Sequence, residues 1–486
     1  MDILLNPIVI AVIVMLALCL LKVNVMISLL TAAIVGAMVS PYLGGNNLPV
    51  SMRILEGMRL IIAGMTGKNN VALSYILLGG FAVAIAYTGI VKILCYKLIR
   101  VFGDKRILTA FIIAGVASLS QNVIPVHIAF IPILIPPLLY VFNKMQIDRR
   151  AISLSLVFGL KAPYLLIPMG FGLMFHNIVA DGMNAASEGI IEVGQITGAM
   201  VLPFLGMLLG LIVGILFVYR RPRVYENRSV DLEEITPEEL KFTSKHWLTL
   251  VAIVICFGVQ TWVRYVGFAD TARLRESADA IAVLPAGTAG LGLHVGALVA
   301  LIFMFATGCV KFKEMDETMR GGIKLMGTIA FVMLAAGGFA GVMNASGISV
   351  IRDGAETVMP AVRVLVDAII DITGDSRLGI SIAAMIIGTI VTMGIGTSFG
   401  TVPIIAPILV PLGIAGGLSP VAIACLIGTA AAIGDAGSPA SDSTLGPTAG
   451  LDADGQHSHI YDTCLPSFIF FNIPLILFGI IGGMVL

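Results

Sequence analysis

The chain has 486 residues, of which 58% are hydrophobic and only 12% are charged, about half the charged content of a typical soluble domain. Its 29 basic and 29 acidic residues cancel, so no bulk charge favours nucleic acid as a partner. This composition excludes an ordinary soluble protein and indicates a polytopic membrane protein.

Apolar runs recur along nearly the whole chain, and each has the length of about 20 residues that crosses a bilayer core. The first, residues 7–21, is predicted to be a membrane anchor, because no basic segment and no small-residue cleavage site flank it. The six cysteines lie in or beside apolar runs without a CxxC spacing. They are interpreted as small core residues, and neither a disulfide framework nor a zinc site is expected.

The sequence repeats itself at three places in the same order, which predicts two homologous halves. The matching segments are EGMR at 56–59 with ETMR at 317–320, GGFAVAIAYTGI at 79–90 with GGFAGVMNASGI at 337–348, and the proline pair Pro132 and Pro136 with Pro407 and Pro411.

In the first half, residues 1–219, basic residues concentrate in the loops 92–106 and 142–150, which predicts that both loops are cytoplasmic. The apolar stretch between them, 107–141, must then enter and leave on one side, as a re-entrant hairpin with its tip at 118–127. A broken helix is predicted at 150–176, because its sequence contains Pro163, Pro168, Gly170 and Gly172. The loop 176–195 has acidic but no basic residues and is predicted to be external.

A polar linker at 220–246 leads to the second half, 247–486, which contains a charged insertion at 352–377. By the repeat, a second hairpin is predicted at 379–413 with its tip region at 392–403, and a second broken helix at 418–444. Five crossings in each half would orient the two halves oppositely and place both termini outside. The predicted fold class is therefore an all-α polytopic membrane protein with two inverted repeats, each of five crossings and one re-entrant hairpin.

The stretch AAIGDAGSPASDST at 431–444 places Asp435 and Asp442 beside the second break. An ionised carboxylate at membrane depth is costly unless it has a partner, which favours a cation site or a proton relay. The alternative is helix capping, with Ser441, Asp442 and Ser443 as N-cap candidates.

Lys161 is the only Lys or Arg that we place deep within the hairpins and broken helices of either half. Residues 378–486 contain no Lys or Arg. Three roles are open for it: the counter-ion of Asp435, a structural pair, or an anchor for a substrate carboxylate. Asp435 must be neutralised by the first half or by a bound cation.

The two hairpin tips are rich in small polar side chains. Such residues are often interhelical contacts in membranes, but here they cluster with helix breakers, which favours ligands. His127 is interpreted either as a core histidine or as a substrate or proton contact. The candidates are Thr397, Ser398 and Thr401 in the second tip, and Ser118, Ser120, Gln121, Asn122 and His127 in the first.

The run LDADGQHSHIYD at 451–462 is interpreted as a gate or a structural loop. Metal binding is the weaker alternative, so no transition-metal site is expected. No nucleophile with a base and no cofactor motif indicates an enzyme.

GTSFGT at 396–401 and GDAGSPASDST at 434–444 resemble the GTSWGT and GDxxSPxSDTT motifs of the NhaC-type sodium/proton antiporter family, with Phe399 for Trp and Ser443 for Thr. The continuation at 445–466 is similar to a branch named for amino-acid or histidine permeases. The resemblance implies a scaffold domain, a mobile transport domain, elevator-type alternating access and a homodimer. It also implies a cation site formed by Thr397, Ser398, Thr401, Asp435, Ser438 and Asp442.

We therefore expect a Na+- or H+-coupled amino-acid permease of a prokaryotic inner membrane, with histidine or a cationic amino acid as candidate cargo. Its partners are the small-molecule substrate, the cation and the bilayer, and no cofactor is expected besides the coupling ion. The alternatives are a Na+/H+ antiporter without organic substrate and, third, an ion channel. The expected substrate or coupling residues are Ser120, Gln121, Asn122, His127 and Lys161.

Overall fold

The structure is a computed structural model of the chain. It describes residues 5–21, 23–66, 68–90, 93, 105–122, 131–187, 189–227, 241–275, 291–352, 355–374, 376–439 and 441–486.

The described residues are mostly helical. The first half contains α1 Pro7–Leu20, α2 Val25–Val39, α3 Val50–Thr66, α4 Asn69–Tyr87, α5 Arg106–Asn122, α6 Ile131–Lys144, α7 Arg149–Leu166, α8 Phe171–Ala186, α9 Val193–Ala199, α10 Val201–Val213 and a π-helical turn Gly214–Val218. The second half contains α11 Ser244–Arg275, α12 Leu291–Ala306, a 3₁₀ turn Phe312–Glu314, α13 Met315–Ala345, α14 Ala361–Thr373, α15 Arg377–Ile395, α16 Ser398–Ala415, α17 Pro420–Gly437, α18 Asp442–Leu451, a π-helical segment His459–Cys464, α19 Leu465–Ser467, a second π-helical segment Phe468–Asn472, and α20 Ile473–Val485.

Polar caps set where several of these apolar helices begin. Asn6 and Asn24 accept backbone N–H bonds from Ile8 and Met26 at the starts of α1 and α2. Asp148 and Ser419 do the same for α7 and α17. Each cap satisfies a backbone donor that has no partner within its own helix.

A three-stranded antiparallel sheet corrects the all-α prediction. Its strands are β1 Tyr42–Leu43, β2 Ser346–Arg352 and β3 Ala355–Pro360, in the order β1-β2-β3. Tyr42 pairs with Gly347, and Gly347 pairs with Pro360. The reason is local, since β2 is rich in β-branched residues that favour extended backbone. The charged insertion at 352–377 thus consists of the end of this sheet followed by α14.

Among the described residues, five helical stretches are long and apolar enough to cross a membrane, or six if the bent pair α7 and α8 is one span. Seven shorter apolar helices accompany them. The number of crossings in each half and the sides of the termini stay predictions.

The helices form two groups that contact each other. In one group α13 packs against α2, α3 and α4, and α11 packs on α12. In the other, α5 packs on α7, and α17 packs on α15, α16 and α20. Helix α13 also contacts α16, so the second predicted hairpin lies against the first group. A Cβ on Gly79 would come within 2.6 Å of the Gly322 carbonyl, so α4 and α13 touch backbone to backbone.

Each predicted hairpin is a pair of helices whose open ends meet through an arginine. Arg106 Nε, at the start of α5, donates to the Met145 carbonyl beyond α6, at 2.6 Å. Arg377 Nη2, at the start of α15, donates to the Gly417 carbonyl beyond α16, at 3.0 Å. The described residues of α15 and α16, the arms of the second predicted hairpin, also pack along each other, and α15 ends on Gly396, whose φ of +70° suits glycine well.

Both predicted broken helices are interrupted. Helices α7 and α8 are bent by 55° at residues 167–170, which we call break 1. Helices α17 and α18 are separated by residues 438–441, which we call break 2. The predicted loop 176–195 is shorter than expected, because 176–186 belongs to α8.

Candidate cation and substrate site

The centre of the candidate site is an ion pair between the two halves. Lys161 Nζ, on α7, lies 2.8 Å from Asp435 Oδ2, near the end of α17. Both side chains are 3% exposed. This direct contact fits two of the roles that the sequence left open for Lys161, the counter-ion of Asp435 and the structural pair.

Asp435 is held from several directions besides Lys161. The backbone N–H of Ser398 donates to Oδ2 at 2.9 Å, and the Ser398 hydroxyl donates to the same oxygen. Ser441 Oγ lies 2.9 Å from Oδ1, and Ser443 Oγ lies 3.4 Å from it. Ser398 begins α16 and Ser441 precedes α18, so the second tip and break 2 converge on one carboxylate. Hydrogen bonds to the ionised form stabilise the buried charge.

Aromatic rings surround this centre. The Tyr164 hydroxyl lies 2.5 Å from Ser398 Oγ, and it is the donor there because the Ser398 hydrogen points to Asp435. The Lys161 ammonium lies 5.2 Å from the Tyr164 ring centroid, within cation–π range. Phe399 stacks on Tyr164 at 5.7 Å and meets Tyr75 of α4 edge-on at 5.6 Å. The rings keep water away from the ion pair.

Two side chains donate hydrogen bonds to the backbone carbonyls at and beside break 1. Asn122, the last residue of α5, donates to the carbonyls of Ile167 at 2.9 Å and Met169 at 3.1 Å. His176 Nε2, on α8, donates to the Leu165 carbonyl at 2.6 Å. Backbone groups freed at a break need such partners inside a membrane. Asn122 was predicted as a substrate residue, and its amide nitrogen is engaged with the broken backbone.

The other predicted cation residues lie around the same break. Thr401 is fully buried and donates to the Thr397 carbonyl at 2.8 Å. Ser438 Oγ lies 3.3 Å from the Met393 carbonyl. Asp442 is exposed in the first turn of α18, where Ser441 is the N-cap. The capping alternative therefore holds for Ser441, and Asp442 lies apart from the Asp435 hydrogen bonds.

Three predicted residues of the first tip lie outside what the structure describes. His127 falls within 123–130, and the side chains of Ser120 and Gln121 are also outside the described residues. Ser118 is described, and it donates to the Ala114 carbonyl of its own helix at 2.7 Å.

A second buried ion pair, which the sequence did not predict, joins the halves at the start of α7. Arg149 makes two hydrogen bonds of 2.6 Å to the carboxylate of Asp454, and their side chains are 0% and 1% exposed. Arg149 also donates to Asn143 Oδ1 at 3.0 Å, and its guanidinium lies 4.4 Å from the Tyr225 ring. Tyr225 belongs to the predicted linker, so the linker covers the pair.

The neighbouring loop 452–458 is held in place by the hydrogen bonds and charges of its own polar residues. Burial alone would raise the pKa of Asp454, but the hydrogen bonds and the charge of Arg149 hold that pKa below its ordinary value. Burial lowers the pKa of His457 to about 4, so this imidazole is neutral at pH 7. His457 Nε2 lies 2.7 Å from Thr463 Oγ1. In the described part of the chain, no three His, Cys, Asp or Glu side chains are placed to share a metal ion.

Sequence reasoning missed Arg149, Asp454 as an ion-pair partner, His176 and Tyr164. A signal existed for His176, because it is the only imidazole in the apolar run that follows break 1. No signal existed for Arg149, which the sequence grouped with the basic residues of a cytoplasmic loop.

The chain was compared with known proteins. A family model described as "Na+/H+ antiporter family" matches residues 155–480, and a model described as "Na+-H+ antiporter family" matches residues 6–102. The chain belongs to the Na+/H+ antiporter family. This family membership confirms the resemblance of the GTSFGT and GDAGSPASDST motifs, and it makes the chain a polytopic membrane transporter and not an enzyme.

Relatives of this family member span nearly its full length. An uncharacterized membrane protein of Vibrio parahaemolyticus is 40% identical over 99% of the chain and 100% of its own length. A protein of Bacillus subtilis that bears the name "Putative amino acid transporter YuiF" is 40% identical over 89% of the chain and 91% of its own length.

Two solved transporters share the fold of this family member. The YdaH transporter of Alcanivorax borkumensis aligns with a TM-score of 0.61 at 14% identity, over 98% of each chain. MtrF of Neisseria gonorrhoeae, described as illuminating a class of antimetabolite efflux pumps, aligns with a TM-score of 0.57 at 16% identity, over 97% of the chain and 95% of its own length. Identity this low supports the fold alone.

Proposed function

We propose that the chain is a Na+- or H+-coupled secondary transporter of a small amino acid, working by elevator-type alternating access. The observation that carries the proposal is the buried ion pair of Lys161 and Asp435, where α7, the second tip and break 2 meet.

The energetics of such a pair favour a functional role. Removing two charges from water costs several kcal/mol for each ion, and replacing a buried pair by apolar side chains is often neutral or stabilising. Ionisable residues at membrane depth accordingly mark ion and substrate pathways. In a bundle this apolar, Lys161 and Asp435 are better explained as an exchangeable pair than as a structural one.

An exchange of partners at this ion pair would couple the binding of a cation to the binding of a substrate carboxylate. A Na+ or H+ that binds Asp435 replaces the positive charge that Lys161 supplies. The released ammonium of Lys161 then becomes the partner for a substrate carboxylate, so cation and amino acid load together. Hydroxyls of Thr397, Ser398 and Ser438 are the oxygen ligands that we assign to a bound Na+.

The remaining surfaces suit the organic part of an amino acid. The rings of Tyr164 and Phe399 offer apolar and cation–π contacts, and Asn122 at break 1 offers an amide. We therefore propose histidine or a cationic amino acid as the first cargo to test, with Ser120, Gln121 and His127 as further candidates. The name of the Bacillus subtilis relative, an amino acid transporter, supports this class.

Several features support the proposed movement. In each half the two helices of a predicted hairpin are followed by an interrupted helix, in the same order. We propose that the halves 1–219 and 247–486 are inverted repeats with re-entrant hairpins, and that both termini lie outside. Hairpins and breaks would form the mobile domain of each subunit in a homodimer, and α13 with its neighbours would form the scaffold.

A Na+/H+ antiporter without organic cargo is the second candidate. The direct contact of Lys161 with Asp435 favours it, since a pair that exchanges Na+ for H+ needs no substrate carboxylate. An ion channel is a weaker third candidate, because paired hairpins with breaks suit alternating access better than a continuous pore.

Proteoliposomes with an imposed Na+ gradient separate these candidates. We expect the gradient to drive uptake of at least one labelled amino acid, and we expect Asp435→Asn to abolish its sodium dependence. Uptake of a labelled panel is measured together with the lumenal pH, reported by a trapped dye.

The matched control is Asp316→Asn, which makes the same substitution in an exposed pair with Arg320. This variant should transport like the wild type. If Na+ shifts the lumenal pH and no amino acid enters, the antiporter is correct and the permease proposal is wrong. Full coupling in Asp435→Asn would remove Asp435 from the site.

A further inference from the structure

We propose that Asn472 is a ligand of the coupling Na+ at break 2, contributing its side-chain amide oxygen. This proposal rests on the proposed function, since it adds a residue to the cation site. Asn472 lies outside the hairpins and broken helices, at the junction of the second π-helical segment and α20.

The first argument is an amide oxygen that has no partner. Asn472 is fully buried, yet its Oδ1 accepts no hydrogen bond within the part of the chain that the structure describes. Its Nδ2 meets only the thioether sulfur of Met393, at 3.9 Å, which is a weak acceptor. A buried polar atom without a partner costs about 1–3 kcal/mol, so its presence indicates a ligand that the amide meets during function.

The second argument is where this amide lies. A Cβ on Gly437 would come within 2.5 Å of Asn472 Nδ2 and 3.0 Å of Oδ1, so the amide sits directly on the last residue of α17. Ser438, the next residue, contacts the Met393 carbonyl at 3.3 Å. Asn472, Ser438 and Met393 therefore bring amide, hydroxyl and carbonyl oxygens to the edge of break 2.

The third argument is electrostatic. Helix α15 ends at Ile395 and α17 ends at Gly437, and a Cβ on Gly434 would come within 2.3 Å of the Thr392 carbonyl. The C-terminal ends of both helices thus meet here, each with a partial negative charge. Oxygen ligands beside two helix C-termini favour a hard monovalent cation. Asp435, two residues before Gly437, supplies the compensating charge.

The fourth argument is the local backbone. Pro474 has no N–H to give to the Phe470 carbonyl, so the helix widens into a π-turn over Phe468–Asn472. Such π-turns inside helices are found mostly at functional sites. Here the π-turn ends on Asn472, the residue whose amide lies on Gly437.

Binding of ²²Na+ to the purified full-length protein in detergent tests the proposal. Asn472→Leu keeps the side chain branched at Cγ and removes the oxygen, and we expect at least a tenfold higher half-saturating Na+ concentration. Asn472→Asp keeps an oxygen ligand, and we expect it to bind Na+ within threefold of the wild type at alkaline pH. A merely structural amide predicts the opposite for Asn472→Leu, since removing a buried unpaired polar group leaves Na+ affinity unchanged and thermal stability equal or higher.

Gln260→Leu is the matched control, because Gln260, on α11 away from break 2, is also buried and its amide oxygen has no partner among the residues that the structure describes. It should bind Na+ like the wild type. If Asn472→Leu binds normally while Asp435→Asn does not, the role of Asn472 is refuted and the cation site stands. If the wild type binds no Na+, both the Asn472 ligand and sodium coupling are refuted.

Discussion

Ser398 shows how a single residue positions the candidate site. It gives two hydrogen bonds to Asp435 and receives one from Tyr164, so it connects the second tip, break 2 and the aromatic cluster. The sequence predicted Ser398 from its glycine-flanked hydroxyls. The Tyr164 contact could not be predicted, because the two residues are 234 positions apart in the chain.

Ser398→Ala should weaken Na+ binding about tenfold, because it removes one of the hydroxyl oxygens that we assign to the bound ion and leaves the Tyr164 hydroxyl without its acceptor. Binding of ²²Na+ measures the change. Ser381→Ala is the control, since Ser381 is equally buried but bonds only to the Arg377 carbonyl of its own helix. Equal affinities in the two variants would show that the Ser398 hydroxyl does not shape the site.

At the scale of elements, the start of α7 is fastened to the loop after α18 by Arg149 and Asp454. Arg149→Ala should lower the free energy of unfolding by about 3–5 kcal/mol, because it leaves the Asp454 carboxylate buried without its partner. The melting temperature in detergent reports the loss. The double variant Arg149→Met with Asp454→Leu should recover most of it, since neither charge then remains buried.

The control variant Arg320→Ala breaks an exposed ion pair, in which the Arg320 and Asp316 side chains are 79% and 75% exposed. It should lower the free energy of unfolding by no more than about 1 kcal/mol. If Arg149→Ala lowers the free energy of unfolding as little as this control does, the ion pair of Arg149 and Asp454 does not stabilise the contact between α7 and the loop after α18.

The secondary-structure elements were predictable where prolines and glycines interrupt apolar runs. Both breaks follow from prolines and glycines, Pro168 with Gly170 and Gly437 with Pro439, whereas the helices of the predicted hairpins follow from the basic loops and from the repeat. The three-stranded sheet was not predictable, because β2 directly continues the apolar pattern of α13 and pairs with β1 some 300 positions earlier in the chain. The predicted boundary at residue 176 was wrong because the charged and polar residues of 176–186 lie on α8.

At the scale of the whole molecule, the sequence repeat indicated which parts of the two halves correspond, but not which side chains meet. The absence of Lys and Arg from 378–486 indicated that Asp435 is neutralised either by the first half or by a bound cation. That this partner is Lys161 required the packed structure, which brings α7 beside α17. The Arg149 pair and the position of Asn472 also depend on contacts between distant segments.

The central claim is that a cation competes with Lys161 for Asp435, and the Na+ affinity of Lys161→Ala tests it most directly. Without the competing ammonium, Asp435 should bind ²²Na+ at least tenfold more tightly than in the wild type at alkaline pH. Lys313→Ala, which removes an exposed lysine, should leave the affinity unchanged. An unchanged or weaker Na+ affinity in Lys161→Ala would contradict the competition and, with it, the proposed coupling.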